Sequence, residues 1–131
     1  MARKVFDVEK KKADVVKVVR YFRRWDFYND QISSSGGMTA VCKLDYSNMT
    51  LTIYPAFCAE TDNFSKSIGL AHAYANEANN IGFMFHLHRD YSIHDNIKIG
   101  LTHQTFLTCG TSSKSKSLIK HLYNWANDYA Y

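Results

Sequence analysis

Residues 38–57, "MTAVCKLDYSNMTLTIYPAF", constrain the fold of this chain more than any other stretch. Ala40, Cys42 and Leu44 alternate with Val41, Lys43 and Asp45. Beyond a turn at Ser47 and Asn48, Met49, Leu51 and Ile53 alternate with Thr50, Thr52 and Tyr54. Successive side chains of a strand point to opposite faces, so a period of two on both sides of a turn predicts an antiparallel hairpin. A hairpin has unpaired edges and an apolar face, and is not stable alone. The rest of the chain must cover it.

The flanking segments supply the cover. In "VEKKKADVVKVVRYFRRWDF", Val15, Val18, Val19, Phe22 and Trp25 (or Asp26) fall at helical spacing, with Lys and Arg opposite, which predicts an amphipathic helix over about 8–27. "NDQISSSGG" is a polar linker. Thr61 or Asp62 offers the N-cap of a helix over about 63–80, whose apolar stripe is Phe64, Ile68, Ala71, Ala75 and Ala78 and which Asn79, Asn80 and Gly82 end. "GFMFHLHRD" and "IKIGLTHQTFLT", joined by "YSIHDN", read as a second hairpin over about 83–108. A last helix over about 115–130 carries Leu118, Leu122, Trp125 and Tyr129 on one stripe. The expectation is a single α+β domain spanning residues 1–131 in the order α-β-β-α-β-β-α. It has an antiparallel sheet of four to five strands, with three helices mainly on one face; whether "YPAFCAE", between Pro55 and Thr61, adds the fifth strand is open.

The 131 residues suffice for one core, and nine Tyr and eight Phe supply large groups to fill it. No run of 18 apolar residues predicts a membrane span, and "MARKVFDVEKKKADVV" lacks the apolar stretch of a secretory signal. Cys42, Cys58 and Cys109 are odd in number and widely spaced. That excludes a disulfide framework and a CxxC zinc site, and predicts three buried small side chains in a reducing cytoplasm. Charge is concentrated: residues 1–24 hold nine basic residues against three acids, a balance of +6, so that the whole-chain +4 leaves −2 for the remainder.

Four histidines fall between residues 75 and 106. On strands, Phe83, Phe85 and Leu87 face the core and His86 and His88 face away, while His103 and Thr105 fall in the inward series of the partner strand. Two ligands without a third in phase do not make a zinc site, so no metal and no cofactor are expected. His103-Gln104-Thr105 is one His-x-Thr triplet where the 2H phosphoesterases use two, which leaves such an enzyme a remote alternative. There is no phosphate loop, nucleophile elbow or HExxH, and no catalytic residue is expected.

A short helix ending in "NEANN", the strand "FMFHLHRD", a turn with acidic and Asn residues, the strand "IKIGLTHQTFL" and a closing helix resemble the YbjN family, which shares its fold with type III secretion chaperones. The resemblance places Asn76 and Asn79 at the Asn-rich helix end and Asp90 or Asp95 in the following turn. It implies a non-catalytic, protein-binding module.

Two functions follow. The first is docking to another protein, or to a second copy as a homodimer, through the outward sheet face. That face would hold Val41, Lys43, Thr50 and Thr52, with Tyr54, Met84, His86, His88, Thr102, Gln104 and Phe106 as the contact residues. Its Tyr, Met and Phe are types enriched in interfaces. A viral or phage accessory protein that inhibits a host complex is one form of this reading. The second is nucleic-acid binding by the basic first helix through Lys10, Lys11, Lys12, Lys17, Arg20, Arg23 and Arg24.

Overall fold

The computed structural model describes residues 14–59, 61–110 and 113–128. In chain order it has β1 (Val15–Phe22), β2 (Trp25–Asp26), β3 (Gln31–Ile32), β4 (Met38–Asp45), β5 (Thr50–Phe57), α1 (Lys66–Ala78), β6 (Phe83–His86), α2 (Ile93–His103), β7 (Leu107–Thr108), α3 (Ser113–Ser117) and α4 (Ile119–Asp128). Five strands form one antiparallel sheet in the order β1-β4-β5-β6-β7, and β2 and β3 pair separately. The molecule is α+β, and no described helix is long and apolar enough to cross a membrane.

The hairpin of β4 and β5 lies where its alternation predicts, with Asp45 paired to Thr50 across the turn. The predicted first helix is corrected: residues 15–22 are an edge strand paired along their whole length with β4. Valine occupies 15, 16, 18 and 19, and its branched β-carbon is stiff and suits a strand. Val18 and Phe22 turn to the main core, while Val19 packs on the opposite face. Apolar residues on both faces imitate a helical stripe. This strand, not one between Pro55 and Thr61, is the fifth of the sheet.

The second hairpin is corrected as well. Residues 93–103 form α2, capped by Ser92, whose Oγ accepts from the Asp95 backbone N–H at 3.1 Å. Gln104 closes the helix in the left-handed region, φ 54°. Only the two-residue β7 remains of the predicted partner strand. Gly100 lets α2 lie close on β6, because a β-carbon there would meet the Phe85 ring at 2.4 Å.

Helices cover both faces of the sheet, where one was expected. Ile97 and Leu101 of α2 and Leu122 and Trp125 of α4 join Phe22, Met38, Leu51, Ile53, Phe83 and Phe85 in the main core. On the other face α1 buries Ala73 against Val41 and Tyr54. Its predicted stripe is out of phase: Ile68, Ala71, Ala75 and Ala78 are exposed, and Gly69 and Ala73 turn inward. Small residues win that side because the helix sits on Thr39, whose Oγ1 lies 2.4 Å from where a Gly69 β-carbon would be. At the C-terminal end the predicted helix is two, broken at Leu118, and Tyr129 lies outside the described residues. Ser115 anchors α3 by accepting from Gly82 N at 3.2 Å and donating to Cys109 O at 3.0 Å.

The three thiols are free. Burial pushes Cys42 up to about 12 and raises Cys109, as suits inert core groups. Cys58 departs from expectation: it is half-buried in the loop after β5.

Candidate functional site

The seven expected contact residues do not share a surface. Across the α1 side of the sheet, one row runs Lys17–Lys43–Thr52–Met84–Leu107 in register. α1 covers the β1–β5 half of that face. Tyr54 is only 8% exposed there, and its hydroxyl reaches the Asn80 side-chain oxygen at 3.5 Å. Lys17 and Lys43 both hold Glu77 of α1, at 2.9 and 3.2 Å. Partial burial raises the Glu77 carboxyl, but the hydrogen bonds and charges of the two lysines outweigh it and leave it below its ordinary range.

The β6–β7 half stays open, with Met84, His86 and Leu107 exposed. The rings of His86 and His88 meet edge to face, centroids 4.7 Å apart. Thr102 and Gln104 stand at the C-terminal end of α2, away from this half-face. Phe106 is on the opposite side altogether, packed against Phe83, Phe85 and Tyr123 in the main core. His103 ends a helix and Thr105 follows its cap, so the His-x-Thr triplet lies on no paired strand. Among the described residues, no group of three or more His, Cys, Asp or Glu is arranged to hold a metal ion.

The basic stripe dissolves with the helix that was to carry it. Lys10, Lys11 and Lys12 lie outside the described residues. Lys17 is turned to the α1 face, where Glu77 holds it, and Arg20 takes the other face of the strand. Arg23 donates to Ser33 O at 2.9 Å and lies 4.5 Å from the centre of the Phe64 ring. Arg24 packs its side chain against Gly36. These cations are spread over both sheet faces and a loop, and Lys17 and Arg23 are engaged in holding the fold.

What sequence reasoning missed is the small hairpin of β2 and β3. Its turn repeats the hydrogen-bond pattern of the turn between β4 and β5, where the Ser47 hydroxyl adds one further bond to Asp45 Oδ1 at 3.0 Å. Asp26 Oδ1 accepts from the backbone of Tyr28 and Asn29 at 3.0 and 3.3 Å, and Oδ2 accepts from the Asn29 side chain at 2.8 Å. Asp45 does the same with Ser47 N, Asn48 N and the Asn48 side chain, at 3.1, 3.1 and 2.8 Å. The side-chain hydrogen bond from the Asn three residues on is the main reason each carboxyl sits below its ordinary range. The next residue is left-handed in both, Asp30 at φ 51° and Met49 at φ 53°. The signal was present as Asp-x-x-Asn twice, in "DFYND" and "DYSNM".

The settings differ. Tyr46 and Met49 pack on the main core, and the position next to Tyr46 is Ser47. In the small hairpin the matching positions are Phe27 and Tyr28, 76% and 99% exposed, with Ile32 exposed beside them. The base is fixed by Ser33 N donating to Arg24 O at 2.8 Å. The result is a short, hydrogen-bonded finger carrying two aromatic rings in solvent.

No protein-family model, no curated protein and no solved structure matches this chain.

Proposed function

We propose that this protein is a non-catalytic protein-binding module that docks the finger at Phe27 and Tyr28 onto another protein chain. One observation carries the reading. The same turn is built at 45–49 with Ser in the place of Tyr28 and with its aromatic side chain packed inward. Turn geometry therefore does not call for two exposed rings at 27 and 28. Aromatic residues held on a rigid support are the side chains that dominate interfaces, since they bring large area with few rotamers to freeze. The open half-face with Met84 and Leu107 is a second surface with exposed apolar groups available to the same or a second chain. The chaperone-like role implied by the YbjN resemblance rests on these surfaces, since the strand at 97–107 that helped carry the resemblance is mostly helix.

The test is affinity capture from the native host with wild-type protein and with Phe27→Ser/Tyr28→Ser, followed by reconstitution with the purified partner. The finger variant should bind that partner at least about tenfold more weakly, the loss typical of a hot-spot residue. Equal affinity of the two proteins would end this reading.

A further inference from the structure

The run from 83 to 88 sends Phe83, Phe85 and Leu87 into the core and leaves Met84, His86 and His88 in a row on the open half-face. Met84 and His86 are exposed and His88 is half-buried. Among the described residues the two histidines find no third ligand of the His, Cys, Asp or Glu kind. Met84 supplies one of another kind. Alternate residues of a strand share a face about 6.6 Å apart, a span that a methionine and a histidine side chain bridge from its two ends. The backbone beneath the row is fixed. Met84 pairs with Thr52 and Leu107, and His86 pairs with Thr50. The amides of Leu87 and His88 donate to Met49 O and Asn96 Oδ1, each at 2.8 Å.

The rings are placed for ligation as well. An imidazole nitrogen lies about 2.0–2.1 Å from a metal such as zinc, which puts the centres of two rings on one ion about 4.5–5.5 Å apart. The rings of His86 and His88 stand 4.7 Å apart, so they have to turn but not to travel. Among the described residues neither imidazole makes a hydrogen bond or ion pair that a metal would have to break. The donor set selects the metal. A thioether is soft and uncharged, and beside imidazole it suits copper(I), whereas zinc takes thiolate, imidazole and carboxylate. We propose that Met84 Sδ and one ring nitrogen each of His86 and His88 bind a single copper(I) ion. This site is independent of the Phe27/Tyr28 finger.

The experiment uses the full chain carrying Cys58→Ser, which removes the one thiol that is not buried. Copper(I) is titrated in anaerobically against the chelator bicinchoninate, with the Met84 methyl and the His86 and His88 ring signals followed by NMR. One ion per chain should bind and move the signals of all three residues. Adding Met84→Leu should weaken copper(I) binding by about tenfold or more, since even groups that only orient a ligand are worth about 10–100-fold. Adding His86→Ala should abolish stoichiometric binding. Zinc(II), left with two imidazoles, should bind more weakly than copper(I) and be indifferent to Met84→Leu. Met84 and His86 are at the surface, so amide spectra should show the fold unchanged. Unmoved signals at these three residues overturn the proposal. So does copper(I) binding that Met84→Leu leaves as tight, or zinc(II) bound as tightly as copper(I). Should Cys58→Ser fail to fold, the unsubstituted chain decides: a moved Met84 methyl supports the site, and copper(I) on the Cys58 thiol alone overturns it.

Discussion

The turns that begin at Asp26 and Asp45 are one local structure in two settings. Each spends an aspartate and the asparagine three residues on to hold the chain, then steps through a left-handed residue. At 45–49 the turn joins two eight-residue strands and lays Tyr46 and Met49 on the core. At 26–30 it joins two-residue strands and lays nothing on the core. The difference teaches that polar chemistry builds a turn but does not decide what the turn is for; the packing of its aromatic positions does. A third loop extends the contrast inward. Asn96, fully buried, accepts from His88 N at 2.8 Å and donates to the carbonyls of His88, Tyr91 and Ser92 at 3.1, 3.2 and 3.0 Å. Here the clamp is beneath the loop and screened from water.

Breaking the buried clamp should have the largest effect. Asn96→Ala leaves the His88 amide and the Tyr91 carbonyl unmatched, while the His88 and Ser92 carbonyls keep the backbone N–H groups of Tyr91 and Asn96, and about 2–4 kcal/mol of stability should go, read by urea denaturation. A loss within 0.5 kcal/mol would mean that water takes over those groups. Next comes the packed surface turn. Tyr46→Ser with Met49→Ser removes two half-buried apolar groups and should cost about 1–3 kcal/mol, while the matched Phe27→Ser/Tyr28→Ser should stay within about 0.5 kcal/mol. Similar costs for the two pairs would show that the finger is part of the body after all.

Acid separates the settings further. His94 sits between Phe22 and Trp125, ring centroids 5.9 and 5.3 Å away. Burial, then the charge of Lys98, lowers its pKa from the ordinary 6.5. The unfolded chain then takes up the proton first, so stability is full above pH 6.5 and declines as pH falls from there to the lowered folded value. Thermal melts from pH 8 to 5 should show this slope in wild type, and His94→Phe should flatten it. The smallest effect belongs to the turn aspartates. Their lowered carboxyls hold stability above the ordinary value of 3.8 and lose it as pH falls through the folded value. Both stand in solvent, so salt and water damp the contribution. Asp45→Asn should nevertheless lower Tm more than Asp26→Asn, because only Asp45 closes the long hairpin. The reverse order would show that the finger's turn carries stability.

The β4–β5 hairpin was legible because its alternation is strict and a turn signal sits at its centre. Residues 15–22 were not, since Val15, Val16, Val18 and Val19 satisfy a period of 3.6 and a strand with apolar side chains on both faces equally well. Ile97, Ile99 and Leu101 likewise fit a strand, and the deciding evidence, Ser92 as N-cap with Asp95 in the first turn, lay just outside the periodic stretch. The site suffered more than the fold. Thr102, Gln104 and Phe106 were assigned to one face through a strand that does not exist, and Tyr54 was assigned to solvent because the position of α1 depends on Gly69 and Ala73, which carry no hydrophobic signal. Phe27 was read as the end of a helix that the spacing of Val15, Val18, Val19 and Phe22 had suggested, and Tyr28 fell between that helix and the polar linker.

The strand order has a kinetic consequence. Reading across the sheet from β1 through β4, β5 and β6 to β7 is also reading along the chain, so each strand pairs with the sheet strand made just before it. No strand must wait for a distant segment to be inserted between two already paired. Such sequential pairing keeps the loops to be closed short, which favours rapid folding for a sheet protein. The β4–β5 hairpin, whose ends are brought together by the Asp45 turn, is the natural place for assembly to begin. β1 can then add on one side and β6 on the other, independently.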